Sequence, residues 1–160
     1  MLEQLKLFPA RIGEAYETFH MREAVFETMA LARLGNKYFN DTEPWKTRTT
    51  DRQACANTIH LSLQICASLS VLLDPVLPFT AKRLRELLNL EGVRPSTPDG
   101  DGGPDNDRIG WDDAGQPLLP EGHALAEPEI LFTKIEDETI EEQIDKLRAA
   151  ETERLGPEAG

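Results

Sequence analysis

The sequence has only two cysteines among its 160 residues and contains no motif of a known catalytic site. Cys55 and Cys66 are eleven positions apart on one predicted helix, too far apart to form a disulfide. No Cys-x-x-Cys spacing offers a metal site, so both are predicted to be packing residues. His20, His60 and His123 fall in different segments. The sequence therefore assembles no catalytic grouping, no Gly-rich phosphate loop and no metal site.

Long apolar runs are scarce as well. No stretch of about 18 apolar residues stands out as a membrane span, and the N-terminus lacks the charged and apolar pattern of a signal peptide. We therefore expect no membrane association and a cytoplasmic location. With hydrophobic residues at 39% and charged residues at 29%, the chain is predicted to be one globular domain with a solvated extension.

The acidic excess lies in the last part of the chain, whereas basic and acidic side chains are nearly balanced in the first part. The net charge is −12, yet residues 1–90 hold 11 basic and 10 acidic side chains, whereas residues 91–160 hold 6 and 19. Residues 33–52 carry a local net charge of +2. The overall acidity therefore does not exclude a nucleic-acid contact near that segment.

Helical periodicity dominates the first ninety residues and predicts an all-α bundle over residues 1–91. Helices are predicted over 1–18, Arg22–Phe39, Asp51–Leu73 and Pro78–Leu90. The third is apolar around most of its circumference and is predicted to lie at the centre. The second and fourth are amphipathic. Their predicted inward side chains are Phe26, Met29, Ala30, Leu34, Tyr38, Phe79, Ala81, Leu84, Leu87 and Leu88, and Val25 and Leu31 widen the face of the second helix.

Proline and capping residues predict the helix ends. The second helix must end before Pro44, and Pro44 and Trp45 are predicted to lie outside any helix. Thr50 and Gln53 fit a capping box for the third helix. The first helix begins without a recognisable cap, which we interpret as an N-terminally truncated bundle.

The composition changes after Leu90. Residues 92–110 are so rich in Gly, Pro and Asp that a mobile acidic loop is predicted. Residues 111–150 are predicted to be a returning segment, anchored by Trp111, and a charged C-terminal helix. The apolar stripe of this region is thin and consists of Ile135, Ile140, Ile144 and Leu147. Residues 151–160 are predicted to be a disordered tail.

Three motifs occur in order along the chain: MALARLGNKYFNDTEPWK, LLDPVLPFTAKRLRELLNL and GHALAEPEILFTKIEDETIEEQIDKL. Together they resemble the C-terminal, anticodon-binding part of bacterial-type methionyl-tRNA synthetases, from about Glu14 to Leu147. The resemblance implies a helical domain that binds the CAU anticodon of initiator and elongator methionine tRNAs, within a parent enzyme that attaches methionine to tRNA.

The resemblance also implies site residues. In that family a tryptophan after proline stacks on an anticodon base and an asparagine on the preceding helix lines the same pocket; here these are Trp45, Pro44 and Asn36. Stacking suits an anticodon because its unstacked bases present π surfaces. By charge and position alone, we predict phosphate contacts from Lys37, Lys46 and Arg48.

The chain lacks other features that the proteins of that family contain. It contains no ATP-binding signature and no zinc knuckle, so the resemblance assigns ATP, and zinc, to a catalytic domain of the parent that this chain does not include. That catalytic domain is the expected protein partner, and the chain alone is predicted not to be an enzyme. An Asn and Arg pair that the family uses on an earlier helix is missing too.

Other interpretations remain open from the sequence. Trp45 could be a structural plug between helices, and Asn36 could cap or terminate a helix. The chain could be the anticodon-binding domain of another class I synthetase. A helical protein-interaction module that never binds RNA is the alternative that the net charge favours.

Overall fold

A computed structural model describes residues 1–90 and 109–155 of the chain, with side chains as far as Glu151. Most of its described residues are helical and none forms a strand, as predicted. Seven α-helices follow one another: α1 Leu2–Leu5, α2 Phe8–Glu17, α3 Met21–Thr42, α4 Pro44–Thr50, α5 Arg52–Leu72, α6 Pro78–Leu87 and α7 Asp137–Leu155. A 3₁₀ turn spans Trp111–Asp113. The predicted loop 92–110, apart from its last two residues, and the end of the predicted tail 151–160 lie outside the described residues.

Helix α5 lies at the centre of the bundle, as its apolar circumference predicted. One side contributes Ile65, Leu69 and Leu72 to a core shared with α1, α2 and α3. Another side contributes Ala67 to a second core with Leu88, Leu90, Leu118 and Leu119. Cys66 packs against this second core, and burial raises the pKa of its thiol. Both cysteines are free, as predicted.

The buried face of α3 overlaps only in part with the predicted one, which included Leu31. Ala24, Thr28 and Leu31 are buried, and Gly35 lies so close to Ile65 that a Cβ there would be 3.0 Å from the Ile65 Cγ2. Gly35, which has no side chain, lets α3 approach α5 closely. Of the predicted inward residues, Phe26 is 61% exposed, Met29 is 41% exposed and Phe79 on α6 is 87% exposed. Periodicity alone did not select the correct face, because both faces of α3 repeat every three or four residues.

Several helix boundaries also differ from prediction, including the end of α6, which is Leu87 rather than Leu90. The first predicted helix is divided into α1 and α2, because Pro9 lies in the first turn of α2 and has no N–H to continue a longer helix. Helix α3 extends to Thr42, which confirms that it ends before Pro44. The cap of α5 is Asp51, whose carboxylate accepts from the Ala54 N–H at 3.0 Å. The predicted capping box is therefore wrong: the Thr50 hydroxyl donates instead to the Lys46 carbonyl.

Residues 109–119 pack on the bundle through polar contacts with α5 and α2. The Gln64 amide donates to the Leu119 carbonyl at 2.6 Å, and its Oε1 accepts from the N–H groups of Leu118 and Leu119 at 2.8 and 3.1 Å. The Trp111 indole donates to the Pro9 carbonyl at 3.2 Å and meets the Tyr16 ring edge-on. Trp111 therefore anchors this returning segment, as predicted.

Gly115 lies where that segment comes closest to α1. Its φ is +85°, and a Cβ there would be 3.1 Å from the Lys6 Cα. We expect Gly115→Ala to lower the free energy of unfolding by about 2–3 kcal/mol, because backbone strain adds to a clash with backbone. Gly122 has a φ of +75°, but a Cβ there would have no atom within 4 Å, so Gly122→Ala should cost only about 1 kcal/mol. Urea unfolding followed by circular dichroism measures both; equal losses would contradict the close approach.

The chain divides into two compact units, Met1–Glu129 and residues 130–160. The second contains α7, whose first turn carries Asp137 and Glu138, where carboxylates stabilise the helix dipole. Ile140, Ile144 and Leu147 are spaced by four and three residues along α7 and form the predicted thin stripe. Ile135 precedes the helix.

Helix α5 is long and apolar enough, by length and composition, to cross a membrane. This differs from the sequence-based expectation that no segment qualified. Half of the qualifying window is buried inside the protein, and the central helix of a bundle meets the same criteria. The observation is therefore weak evidence for a membrane span.

Candidate nucleic-acid interface

The predicted site residues lie at a corner where three helices meet through single-residue connections. Glu43 alone separates α3 from α4, and Asp51 alone separates α4 from α5. Glu43 adopts the left-handed conformation, with φ 45° and ψ 58°, which is uncommon for a residue other than glycine. Its carbonyl accepts from the N–H groups of Lys46 and Thr47 and so begins α4. The chain therefore changes direction within one residue.

Pro44 and Trp45 lie in the first turn of α4, so the prediction that they lie outside a helix is wrong. Proline suits the first position of a helix because its missing N–H has no intrahelical acceptor there. Pro44 is buried, whereas Trp45 is 53% exposed. The short helix α4 therefore buries Pro44 and exposes Trp45 to solvent.

The exposure of Trp45 bears on its two interpretations. Its indole contacts the Phe39 ring of α3, with ring centroids 5.9 Å apart and planes at 52°. A plug between helices would be buried on most sides. Trp45 instead leaves about half of its surface open, which makes the indole available for stacking with a planar ligand.

The predicted phosphate-binding lysines are already paired with carboxylates. Lys37 Nζ lies 2.6 Å from Asp41 Oδ2, and Lys46 Nζ lies 2.6 Å from Glu43 Oε1. Both pairs are on the surface, where an ion pair stabilises the protein by only about 0–1 kcal/mol. Each lysine can therefore exchange its carboxylate for a phosphate at small cost.

Asn36 and Arg48 lie on opposite sides of the corner in sequence. Asn36 is exposed on α3, six residues before its last residue Thr42. It therefore neither caps nor terminates the helix, and that alternative is wrong. Asn36 and Phe39 are three positions apart on α3, a spacing that places them on one helical face. Arg48 is exposed in the last turn of α4, and no ion pair to it occurs among the described residues.

Two residues of this corner were not predicted as site residues. Phe39 contacts the Trp45 ring, and the Cys55 thiol of α5 donates to the Pro44 carbonyl at 3.4 Å. The spacing of Phe39 from Asn36 was a usable signal in the sequence. Cys55 offered none, because its contact depends on how α4 packs against α5.

Known proteins are similar to the chain over most of its length. A family model described as the anticodon binding domain of methionyl tRNA ligase matches residues 1–152. The chain is 59% identical to a methionine--tRNA ligase of Salinibacter ruber over 96% of the chain and 22% of that protein. It is 41% identical to the ligase of Flavobacterium johnsoniae over 96% of the chain and 24% of that protein. For the Porphyromonas gingivalis ligase the values are 42%, 92% and 20%. The chain thus spans between 20% and 24% of the length of these three relatives.

Proposed function

The chain belongs to the family of anticodon-binding domains of methionyl-tRNA ligases, and from this premise we propose that its α3–α4 corner binds the CAU anticodon loop of methionine tRNAs. Both the initiator and the elongator tRNA carry this anticodon and are the proposed partners. The observation that supports the proposal most directly is the half-exposed indole of Trp45 at the start of α4. An aromatic face of this kind stacks with an unstacked loop base, which stabilises the complex by about 1–3 kcal/mol per base.

The other residues of the corner can make the remaining contacts with the anticodon loop, those to base edges and to phosphates. Asn36 carries an amide that can donate to and accept from a base edge. Lys37, Lys46 and Arg48 provide positive charge for the phosphate backbone, which positions an RNA without reading its sequence. Base identity must therefore come from hydrogen bonds, and we assign that role to Asn36 within this chain.

We further propose that the domain serves a cytoplasmic methionine--tRNA ligase. The relatives are named methionine--tRNA ligases, so the parent protein would couple ATP to methionine attachment on a catalytic domain, which is a second proposed partner of this chain. The chain matches the anticodon-binding domain of that family. ATP, and zinc, are accordingly proposed for the parent's catalytic domain rather than for this chain.

Titration with anticodon stem-loops tests the proposal. We expect the chain to bind a 5′-labelled CAU stem-loop about tenfold more tightly than a loop with a changed first anticodon base, because a mismatched base leaves hydrogen-bonding groups unpaired. Fluorescence anisotropy at low salt measures both affinities. Raising the salt concentration should weaken the binding of both loops by the same factor, since the phosphate contacts are common to them.

Two outcomes would contradict the proposal in different ways. Equal affinity for the two loops would mean that the chain binds RNA through charge and stacking without reading the first anticodon base. Absence of binding to either loop at low salt, with the helical fold retained, would favour the protein-interaction alternative.

A further inference from the structure

Two residues that carry no part of the proposed RNA contact support Trp45: one contacts its indole, and the other bonds to the backbone of the residue before it. Phe39 reaches it from α3, with ring centroids 5.9 Å apart. Cys55 reaches the residue before it from α5, where the thiol donates to the Pro44 carbonyl at 3.4 Å. Both are partly buried, so each is shielded from a ligand more than Trp45 is. The supports come from different helices and act on different parts of α4.

Phe39 and Cys55 each restrict a different movement of Trp45. The ring of Phe39, tilted at 52° to the indole, limits the rotation of the Trp45 side chain about its two torsions. The Cys55 thiol holds the first turn of α4, whose entry residue Glu43 is in the left-handed conformation. A side chain that is ordered before its ligand arrives loses less entropy on binding and so binds more tightly. An unsupported surface tryptophan has no such advantage.

We propose that Phe39 and Cys55 are positioning residues, which hold Trp45 in the orientation that stacks with an anticodon base. The expected effect on RNA affinity rests on the proposed RNA-binding function, but the ordering of the Trp45 side chain is a property of the free protein. The two parts can therefore be measured separately.

A double-mutant cycle on RNA affinity tests the consequence. Phe39→Leu keeps an apolar side chain but removes the ring, and we expect it to weaken binding of the CAU stem-loop about three- to tenfold. In a Trp45→Ala background the same change should have no further effect, because the residue that it positions is gone. Phe26→Leu is the matched control: Phe26 is on the same helix, 61% exposed, and contacts Arg33 rather than Trp45. It should leave the affinity unchanged.

Conservative replacements separate positioning from packing. Phe39→Tyr retains the ring and should retain the affinity. At Cys55, serine keeps a donor for the Pro44 carbonyl and alanine does not, so Cys55→Ser should bind the stem-loop more tightly than Cys55→Ala. Thermal unfolding of each variant shows whether a loss of affinity merely follows a loss of fold.

Fluorescence of Trp45 without RNA tests the ordering itself. Trp111→Phe leaves Trp45 as the single tryptophan; in that background we expect Phe39→Leu to increase acrylamide quenching and to speed the anisotropy decay. Unchanged Trp45 fluorescence in Phe39→Leu and Cys55→Ala, or equal losses of affinity with and without Trp45, would overturn the inference. If Trp45→Ala binds RNA as the parent chain does, the proposed function fails and the fluorescence result alone decides the positioning.

Discussion

Gln64→Leu is expected to lower the free energy of unfolding by about 3–5 kcal/mol. Gln64 is 1% exposed, and its amide is the hydrogen-bond partner of the Leu118 and Leu119 N–H groups and of the Leu119 carbonyl. Leucine is of similar size but makes no hydrogen bond. Three backbone groups are then buried without partners, or the segment that carries them separates from α5.

Urea unfolding, followed by circular dichroism, measures this loss. The matched control is Gln53→Leu, the same change on the same helix at an exposed position, where the Gln53 amide donates to the side chain of Asn57. The control should stay within about 0.5 kcal/mol of the parent chain. A loss below about 1 kcal/mol in Gln64→Leu would show that water replaces the amide at these backbone groups.

Trp45→Ala is expected to weaken binding of the CAU stem-loop about 10- to 100-fold while the fold is retained. The indole is 53% exposed, so its removal sacrifices the contact with Phe39 but opens no large cavity in the core. We expect a loss of about 1 kcal/mol in the free energy of unfolding, the size of one aromatic pair. The effect on RNA should thus exceed the effect on stability.

Anisotropy titration and thermal unfolding of the same sample compare the two effects. Phe79→Ala is a suitable control, because Phe79 is an aromatic residue on α6 that is 87% exposed; it should change neither quantity. If Trp45→Ala unfolds the chain and abolishes binding of every loop, the tryptophan is a structural plug. If it leaves RNA affinity intact, another surface binds the anticodon loop.

The bundle was predictable from sequence because its strongest signals are long and periodic. The apolar circumference of α5 indicated its central place, and Pro44 indicated where α3 must end. Helix α4 was missed because proline breaks a longer helix and begins a new one equally well. The buried face of α3 was misassigned in part because Gly35 contacts α5 by virtue of its small size and Thr28 is buried although it is polar, and a hydrophobicity pattern detects neither.

The candidate site was predictable only in part, and for a different reason. Trp45, Pro44 and Asn36 came from the resemblance to a family, and their RNA contacts stay predictions. The pairing of Lys37 with Asp41 could have been predicted, since the two are four positions apart on a helix. The spacing of Phe39 from Asn36 indicated that both lie on one face of α3, but the contacts of Phe39 with Trp45 and of Cys55 with Pro44 could not be predicted, because they depend on the angle between α4 and its neighbours.

The two single-residue connections around α4 also determine where the chain can vary in length. Because only Glu43 and Asp51 connect α4 to its neighbours, one residue inserted at either position would turn α4 by about 100° about its axis or displace it along the axis. Gly122 is the opposite case, an exposed turn residue with open space around it. Length differences among related chains, and inserted labels in the laboratory, are therefore better accommodated at Gly122 than beside Trp45.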